Sequence, residues 1–96
     1  GKQRIIMAKI DTGASKSSID ENLTRQLGLG PVLKSRLIKS AHGSKFRPII
    51  EVSIEVAKKD LLAEFTVVDR SHMTYQVLIG QNILKHGFLI DPVKHA

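Results

Sequence analysis

The sequence predicts an all-β fold, a small β-barrel or sandwich that carries one or two short helices. Short segments rich in apolar and β-branched residues recur at turn spacing, which is typical of such folds. Only two segments carry helix signals. With 96 residues the chain is expected to form one domain, residues 1–96, without repeats, linkers or low-complexity segments.

The predicted strands differ in how they face the core. Residues 5–10 are almost continuously apolar and are expected to be buried, whereas residues 51–56 alternate polar and apolar side chains, which indicates one solvated face. Pro48 favours an edge position, because proline cannot donate to a β-ladder. The strand segments are 5–10, 33–38, 47–50, 51–56, 61–68, 75–79 and 88–90.

Two short helices are predicted, at residues 19–27 and 80–86. Ser18 and Glu21 fit a capping box at the start of the first, and Gly28 is a typical C-terminal stop. Gly87 ends the second. Turn-rich residues 41–45 form the predicted tip of a central hairpin.

The amino-acid composition and net charge exclude several classes of function. The chain has no cysteine, which excludes disulfides, thiol nucleophiles and cysteine zinc sites and is compatible with the cytoplasm. No apolar run approaches the ~20 residues of a membrane span, so we expect no membrane association. The net charge of +6 indicates either a solvated basic surface or an acidic partner. Nucleic acid is not expected, because long Lys/Arg blocks are absent and only four aromatic residues are present.

The most informative motif is Asp-Thr-Gly-Ala at residues 11–14, directly after the apolar strand 5–10. Asp11 must be close to buried and hydrogen-bonded if its surroundings are to set its proton affinity. Gly13 lets a substrate approach the backbone closely. The structural alternative is an ordinary turn, since aspartate before glycine is a common turn signal.

Two further segments complete the pattern. Residues 77–82 run from an apolar strand through Gly80 into a helix, and Gly80 would let this segment pass tightly behind the Asp11 loop. The hairpin with its tip near Gly43 is placed to close over a bound peptide and exclude water.

Together these segments resemble the retropepsin-like aspartic proteases, over about residues 5–90. The chain is most similar to a small prokaryotic group labelled "putative ATP-dependent zinc protease", whose genes accompany ATP-grasp glutamate ligases. Residues 47–50, 69–73 and 88–92 carry that closer likeness. The resemblance implies a single-lobe β-barrel that works as a homodimer and needs no cofactor.

The resemblance also implies roles for individual residues. Asp11 from each of two chains would share one proton and activate a water, Thr12 would hold the two loops together, and the Gly13 backbone would bind substrate. The implied substrate is a peptide or protein, with acidic chains among the candidates. The residues expected to bind it are Ala14, Ser15, His42, Gly43, Ser44, Gly80 and Gln81.

The chain departs from the retropepsin pattern at two positions, where Ser15 replaces a second aspartate and Gln81 replaces an arginine. These departures, the polar hairpin tip and the basic charge leave an alternative open, namely an inactive retropepsin-like module that binds an acidic protein. The zinc label has no counterpart in the sequence, because the four histidines lack metal-ligand spacing. No segment resembles a phosphate-binding loop, so ATP binding is not expected.

Overall fold

A computed structural model describes residues 4–41 and 43–87, and it forms a sheet-dominated fold with two short helices. All six strands belong to one sheet, in the order β1-β6-β2-β5-β4-β3. This confirms the predicted all-β class. The elements are β1 (Ala8–Ile10), β2 (Ser17–Asp20), α1 (Glu21–Leu27), β3 (Val32–Ser40), β4 (Gly43–Val56), β5 (Lys59–Val68), β6 (Val77–Ile79) and α2 (Gln81–Leu84).

The strand pairing around β6 positions the candidate site. β6 runs parallel to β1 on one side and antiparallel to β2 on the other. Because β6 lies between β1 and β2, the connection 11–16 must cross the carboxyl end of β6. The Asp-Thr-Gly-Ala motif lies in this crossing connection.

Apolar side chains on one side of the sheet form the core together with the two helices. Phe65 is 2% exposed and Ile83 is fully buried, so α2 packs directly on the sheet. The core residues are Ile19, Leu23, Ile50, Ala63, Phe65, Val67, Val77, Ile79, Ile83 and Leu84. Neither helix of the described residues has the length and apolar character needed to cross a bilayer.

The long hairpin of β3 and β4 is continuous where the sequence predicted two strands. β4 runs for 14 residues through Pro48, which pairs with Ser35 of β3. Pairing of β4 with β5 begins only at Ile49, so Pro48 lies where β4 has one partner. The expected local edge position of this proline is therefore confirmed.

The start of α1 differs from the prediction. Ser18 was expected to cap the helix, but residues 17–20 form β2, and Asp20 is the N-cap. Its carboxylate accepts hydrogen bonds from the backbone N–H groups of Asn22 and Leu23 at 3.1 and 3.4 Å. Pairing of β2 with β5 and β6 keeps Ser18 in the sheet and displaces the helix start by two residues. The predicted stop at Gly28 is confirmed by its left-handed conformation.

Asp20 also connects α1 to the 69–75 loop. It is 1% exposed, and its second carboxylate oxygen accepts the N–H of Arg70 at 2.8 Å. The guanidinium of Arg70 in turn donates to the Tyr75 carbonyl and to the Ser18 hydroxyl. A buried carboxylate therefore satisfies three backbone donors of two different segments.

Replacing Asp20 with alanine is expected to lower the free energy of unfolding by about 2–3 kcal/mol, because it removes a helix cap and leaves the buried N–H of Arg70 unpaired. Urea unfolding followed by circular dichroism measures this. Asp69→Ala is the control, because Asp69 is exposed, and we expect a loss of less than about 1 kcal/mol there. Equal losses in both variants would contradict the assigned role of Asp20.

Several predicted boundaries shift, and one prediction is outside the described residues. The first strand covers 8–10 rather than 5–10, the strand at 75–79 covers 77–79, and the second helix covers 81–84 rather than 80–86. The expected burial of residues 5–10 is wrong: Ile5, Met7 and Ile10 are exposed, since within residues 4–41 and 43–87 β1 pairs on one side only. The strand predicted at 88–90 lies outside the described residues.

Candidate functional site

Asp11 lies at the carboxyl end of β1, beside the equivalent end of β6. Ile10 pairs with Ile79, and the Asp11 N–H donates to the Ile79 carbonyl at 2.9 Å. Because β1 and β6 are parallel, the residues that follow them emerge at the same edge of the sheet. This pairing brings Asp11 and Gly80 together across 69 positions of sequence.

The Asp11 carboxylate is held by its own loop. Its Oδ1 accepts the N–H of Gly13 at 3.0 Å, and its backbone carbonyl accepts the N–H of Ala14 at 3.2 Å. Asp11 is half-buried, whereas Thr12 and Gly13 are exposed. The loop therefore presents a fixed carboxylate beside an accessible glycine backbone, which is an arrangement suited to general acid–base chemistry on a peptide.

Gly80 lies directly beneath this loop. A Cβ at this position would overlap the carbonyl oxygen of Lys16 and lie 2.8 Å from that of Ala14. Both atoms belong to backbone, so neither can move without shifting the loop. The predicted tight passage of residue 80 behind the Asp11 loop is confirmed.

The loop also caps the start of α2. The N–H groups of Gln81 and Asn82 donate to the carbonyls of Ala14 and Ser15 at 2.8 and 3.1 Å. The first turn of a helix leaves its N–H groups without intrahelical partners, and here the loop supplies acceptors for two of them. The loop carbonyls and the first N–H groups of α2 thus supply each other's hydrogen-bond partners.

A buried hydroxyl extends the connection. Ser17 is 1% exposed, and its Oγ accepts the N–H of Gly80 at 2.9 Å while donating to Asn82 at 2.7 Å. The Asn82 amide donates onward to the Glu64 carbonyl at 3.0 Å. This Ser17–Asn82 pair could not be predicted from the sequence, because its members are 65 positions apart.

The structure brings most of the predicted site residues together. The predicted residues that lie together in one unit are Asp11, Thr12, Gly13, Ala14, Ser15, Gly80 and Gln81. Hydrogen bonds join the loop to Gln81 and Asn82 directly and to Gly80 through Ser17. Gly80 is buried, and the side chain of Gln81 donates to the Thr12 carbonyl at 2.9 Å. Gly43 and Ser44 instead lie exposed at the start of β4, outside this unit, and His42 is outside the described residues.

A basic cleft lies at the far end of the Asp11 loop. It has a volume of about 320 Å³, and Lys16 and Ser17 of the loop form part of its wall. Arg36, Lys85 and His86 add further basic side chains, and Glu64 is the acidic one. Its apolar lining residues are Ile49, Leu62 and Ala63.

The polar 69–72 loop lies apart from this unit. Hydrogen bonds from the side chain and the backbone of Ser71 hold the pKa of Asp69 below its ordinary value of 3.8. The Asp69 carboxylate accepts the N–H of Ser71 at 2.9 Å and so stabilises its own loop. In residues 4–41 and 43–87, no three His, Asp or Glu side chains are grouped so that they could hold a metal ion.

Comparison with known proteins identifies the family. A family model described as "Retropepsin-like aspartic endopeptidase RimB" matches residues 20–96, more than half of the chain. The chain belongs to the RimB-like family. The matched range begins after the Asp11 loop, so the role of that loop depends on the geometry described above. A search of the curated proteins gave no match.

Solved structures support the same fold for this RimB-like chain. Simian foamy virus (mac) protease is 18% identical, with a TM-score of 0.64 and 88% of each chain covered. The retroviral protease-like domain of Ddi1 from Leishmania major is 21% identical, with a TM-score of 0.62, covering 94% of this chain and 69% of that one. A retropepsin-like aspartic protease from Rickettsia conorii is 23% identical, with a TM-score of 0.58, covering 86% and 72%. These likenesses establish a retropepsin-like fold, and the narrower "putative ATP-dependent zinc protease" label stays a prediction.

Proposed function

We propose that this RimB-like protein is a homodimeric aspartic endopeptidase that hydrolyses peptide bonds with one Asp11 from each chain. The observation that carries the proposal is the Asp11 loop, in which a half-buried carboxylate is fixed beside an exposed glycine backbone. The Asp-Thr-Gly motif occurs once in the sequence, so a pair of such carboxylates requires two chains.

The proposed chemistry follows from two neighbouring carboxyl groups that share one proton. The ionised Asp11 takes a proton from a water, whose oxygen attacks the carbonyl carbon of the substrate. The protonated Asp11 of the other chain gives its proton to the carbonyl oxygen, which forms a tetrahedral gem-diol. The newly protonated Asp11 then gives its proton to the amide nitrogen as the C–N bond breaks. The other Asp11 takes a proton from a hydroxyl of the gem-diol, which becomes the carboxylic acid product, so the pair again holds one proton.

The surface next to Asp11 supports a dimer. Ile5, Met7 and Ile10 precede Asp11 and are 99%, 74% and 44% exposed. Among residues 4–41 and 43–87, β1 is an edge strand of the sheet, so in this part of the chain no strand pairs with its outer hydrogen-bonding groups. A second copy placed against this segment would cover the apolar side chains and bring the two Asp11 loops together.

The test of this proposal is the dependence of peptide hydrolysis on protein concentration. We expect turnover per chain of a peptide library, measured at several pH values, to rise with concentration and to level off where sedimentation shows a dimer. Full turnover by a protein that sediments as a monomer would contradict the homodimeric mechanism.

We further propose that an acidic peptide is the substrate. The net charge of +6 and the basic cleft beside the loop both favour negatively charged chains. Lys16 is the cleft residue closest in sequence to Asp11, and its side chain is exposed. An acidic substrate residue bound beside the Asp11 loop would therefore contact the Lys16 side chain.

Replacing Lys16 with glutamine is expected to raise KM for a glutamate-rich peptide about threefold to tenfold, and to change KM for its glutamine-rich counterpart by less. Steady-state kinetics on the two peptides measure this. The matched control is Lys58→Gln, which removes the same charge from an exposed turn. Equal changes for the two peptides would argue against an acidic substrate bound at Lys16.

A further inference from the structure

We infer that Gln81 is a positioning residue that orients the Asp11 carboxylate through the Thr12–Gly13 peptide group. This inference rests on the proposed endopeptidase function. The sequence assigned Gln81 to substrate binding, whereas the structure shows its side chain engaged with the loop backbone. The contact is between the side-chain amide of Gln81 and the Thr12 carbonyl, at 2.9 Å.

The Thr12 carbonyl and the Gly13 N–H belong to the same peptide group. That group is planar, so fixing the direction of the carbonyl also fixes the direction of the N–H. The Gly13 N–H donates to Asp11 Oδ1 at 3.0 Å. Gln81 is therefore connected to the reacting carboxylate by two hydrogen bonds that share one rigid plane.

The two hydrogen bonds also reinforce each other. A donor to the carbonyl oxygen polarises the amide and makes its N–H a stronger donor, as in other hydrogen-bond chains. The carboxylate oxygen at the end of this chain thereby accepts a stronger hydrogen bond, which holds the carboxylate in one orientation. The side-chain amide of Gln81 is uncharged, so it exerts this effect without placing a second charge at the site.

The backbone of Gln81 is also bound to the loop, independently of its side chain. Its N–H donates to the Ala14 carbonyl at 2.8 Å, and it occupies the first position of α2. Backbone and side chain of one residue thus bind the carbonyls on both sides of Gly13. Gln81 therefore contacts the loop both at the peptide group that binds Asp11 and at the Ala14 carbonyl.

The test replaces Gln81 with methionine, which has a similar length and lacks the amide donor. We expect kcat to fall about fivefold to tenfold with KM changed less than about twofold, because a hydrogen bond that acts on the reacting group is lost rather than one that binds substrate. Gln26→Met is the matched control, since Gln26 is exposed on α1 and distant in sequence from the loop. Its kcat is expected to equal that of the wild type.

A second variant, Gln81→Glu, separates positioning from folding. Glutamate at the first turn of α2 suits the positive end of the helix, so stability is expected to be maintained. Its ionised carboxylate cannot donate to the Thr12 carbonyl, so kcat is expected to be at least as low as in Gln81→Met. A stable Gln81→Glu variant with wild-type kcat would overturn the inference.

A spectroscopic readout makes the inference independent of activity. The amide proton of Gly13 is expected to move upfield in Gln81→Met, because a weaker hydrogen bond deshields it less, while the amide protons of α1 stay in place. An unchanged Gly13 resonance would overturn the coupling even in an active enzyme. A shifted Gly13 resonance in a protein without peptidase activity would support the coupling and reject the proposed function instead.

Discussion

Replacing Asp11 with asparagine is expected to lower kcat for peptide hydrolysis by at least about a thousandfold, because it removes both the proton acceptor and the proton donor of the proposed pair. Asparagine has nearly the same shape and retains a side-chain oxygen that can accept the Gly13 N–H. The midpoint of thermal unfolding should therefore stay close to that of the wild type. Initial rates on the same peptide, with unfolding curves for both proteins, measure this.

The matched control is Asp60→Asn, which makes the same change at an exposed position of β5. It should retain wild-type kcat. If Asp11→Asn hydrolysed peptides as fast as the wild type, Asp11 would be a turn residue. If neither protein had activity while an acidic protein partner bound both, the inactive interaction module would be the correct description.

Replacing Gly80 with alanine is expected to produce the largest loss of stability, about 4 kcal/mol or more, together with loss of activity. The added methyl group would overlap the Lys16 carbonyl and approach that of Ala14, both in the backbone that supports Asp11. Relief of this overlap requires either the loop or β6 to move. In this variant we therefore expect both the free energy of unfolding, measured by chemical denaturation, and the rate of peptide hydrolysis to fall.

Gly30→Ala provides the comparison for this prediction. A Cβ at position 30 would lie 3.6 Å from the backbone nitrogen of Val32, which is ordinary van der Waals contact. We expect a change of less than about 1 kcal/mol and normal hydrolysis. A Gly80→Ala protein as stable and active as Gly30→Ala would contradict the tight passage of β6 beneath the loop.

The Asp11–Gly80 pair could be predicted from sequence because the relevant signals are local. An apolar strand leading into Asp-Thr-Gly and a second apolar strand leading into Gly80 are both found where the sequence predicted them. The expected burial of residues 5–10 was wrong, because it depends on what lies beside the strand. Parallel pairing of β1 and β6 then brought the two turns to the same edge of the sheet. The expectation that residue 80 must be glycine depended only on the Asp11 loop passing close to the end of β6.

Other parts of the site could not be predicted, since they depend on contacts between distant segments. Ser17–Asp20 has the residue types of a helix start, and only pairing with β5 and β6 makes it a strand. The donation of Gln81 to Thr12 spans 69 positions, and no rule of spacing relates a glutamine side chain to a particular carbonyl. The role of Gln81 became visible only with the geometry of the loop.

The most direct test of the homodimeric active site is a subunit-mixing measurement. A fixed amount of wild-type protein is combined with increasing amounts of Asp11→Asn, and hydrolysis is measured after exchange has been verified with a tagged chain. If each active site needs Asp11 from both chains, activity should fall to about one half with an equal amount of the variant and to about one tenth with a roughly ninefold excess. Activity that stays constant or rises during the titration would show that one Asp11 suffices and would contradict the account.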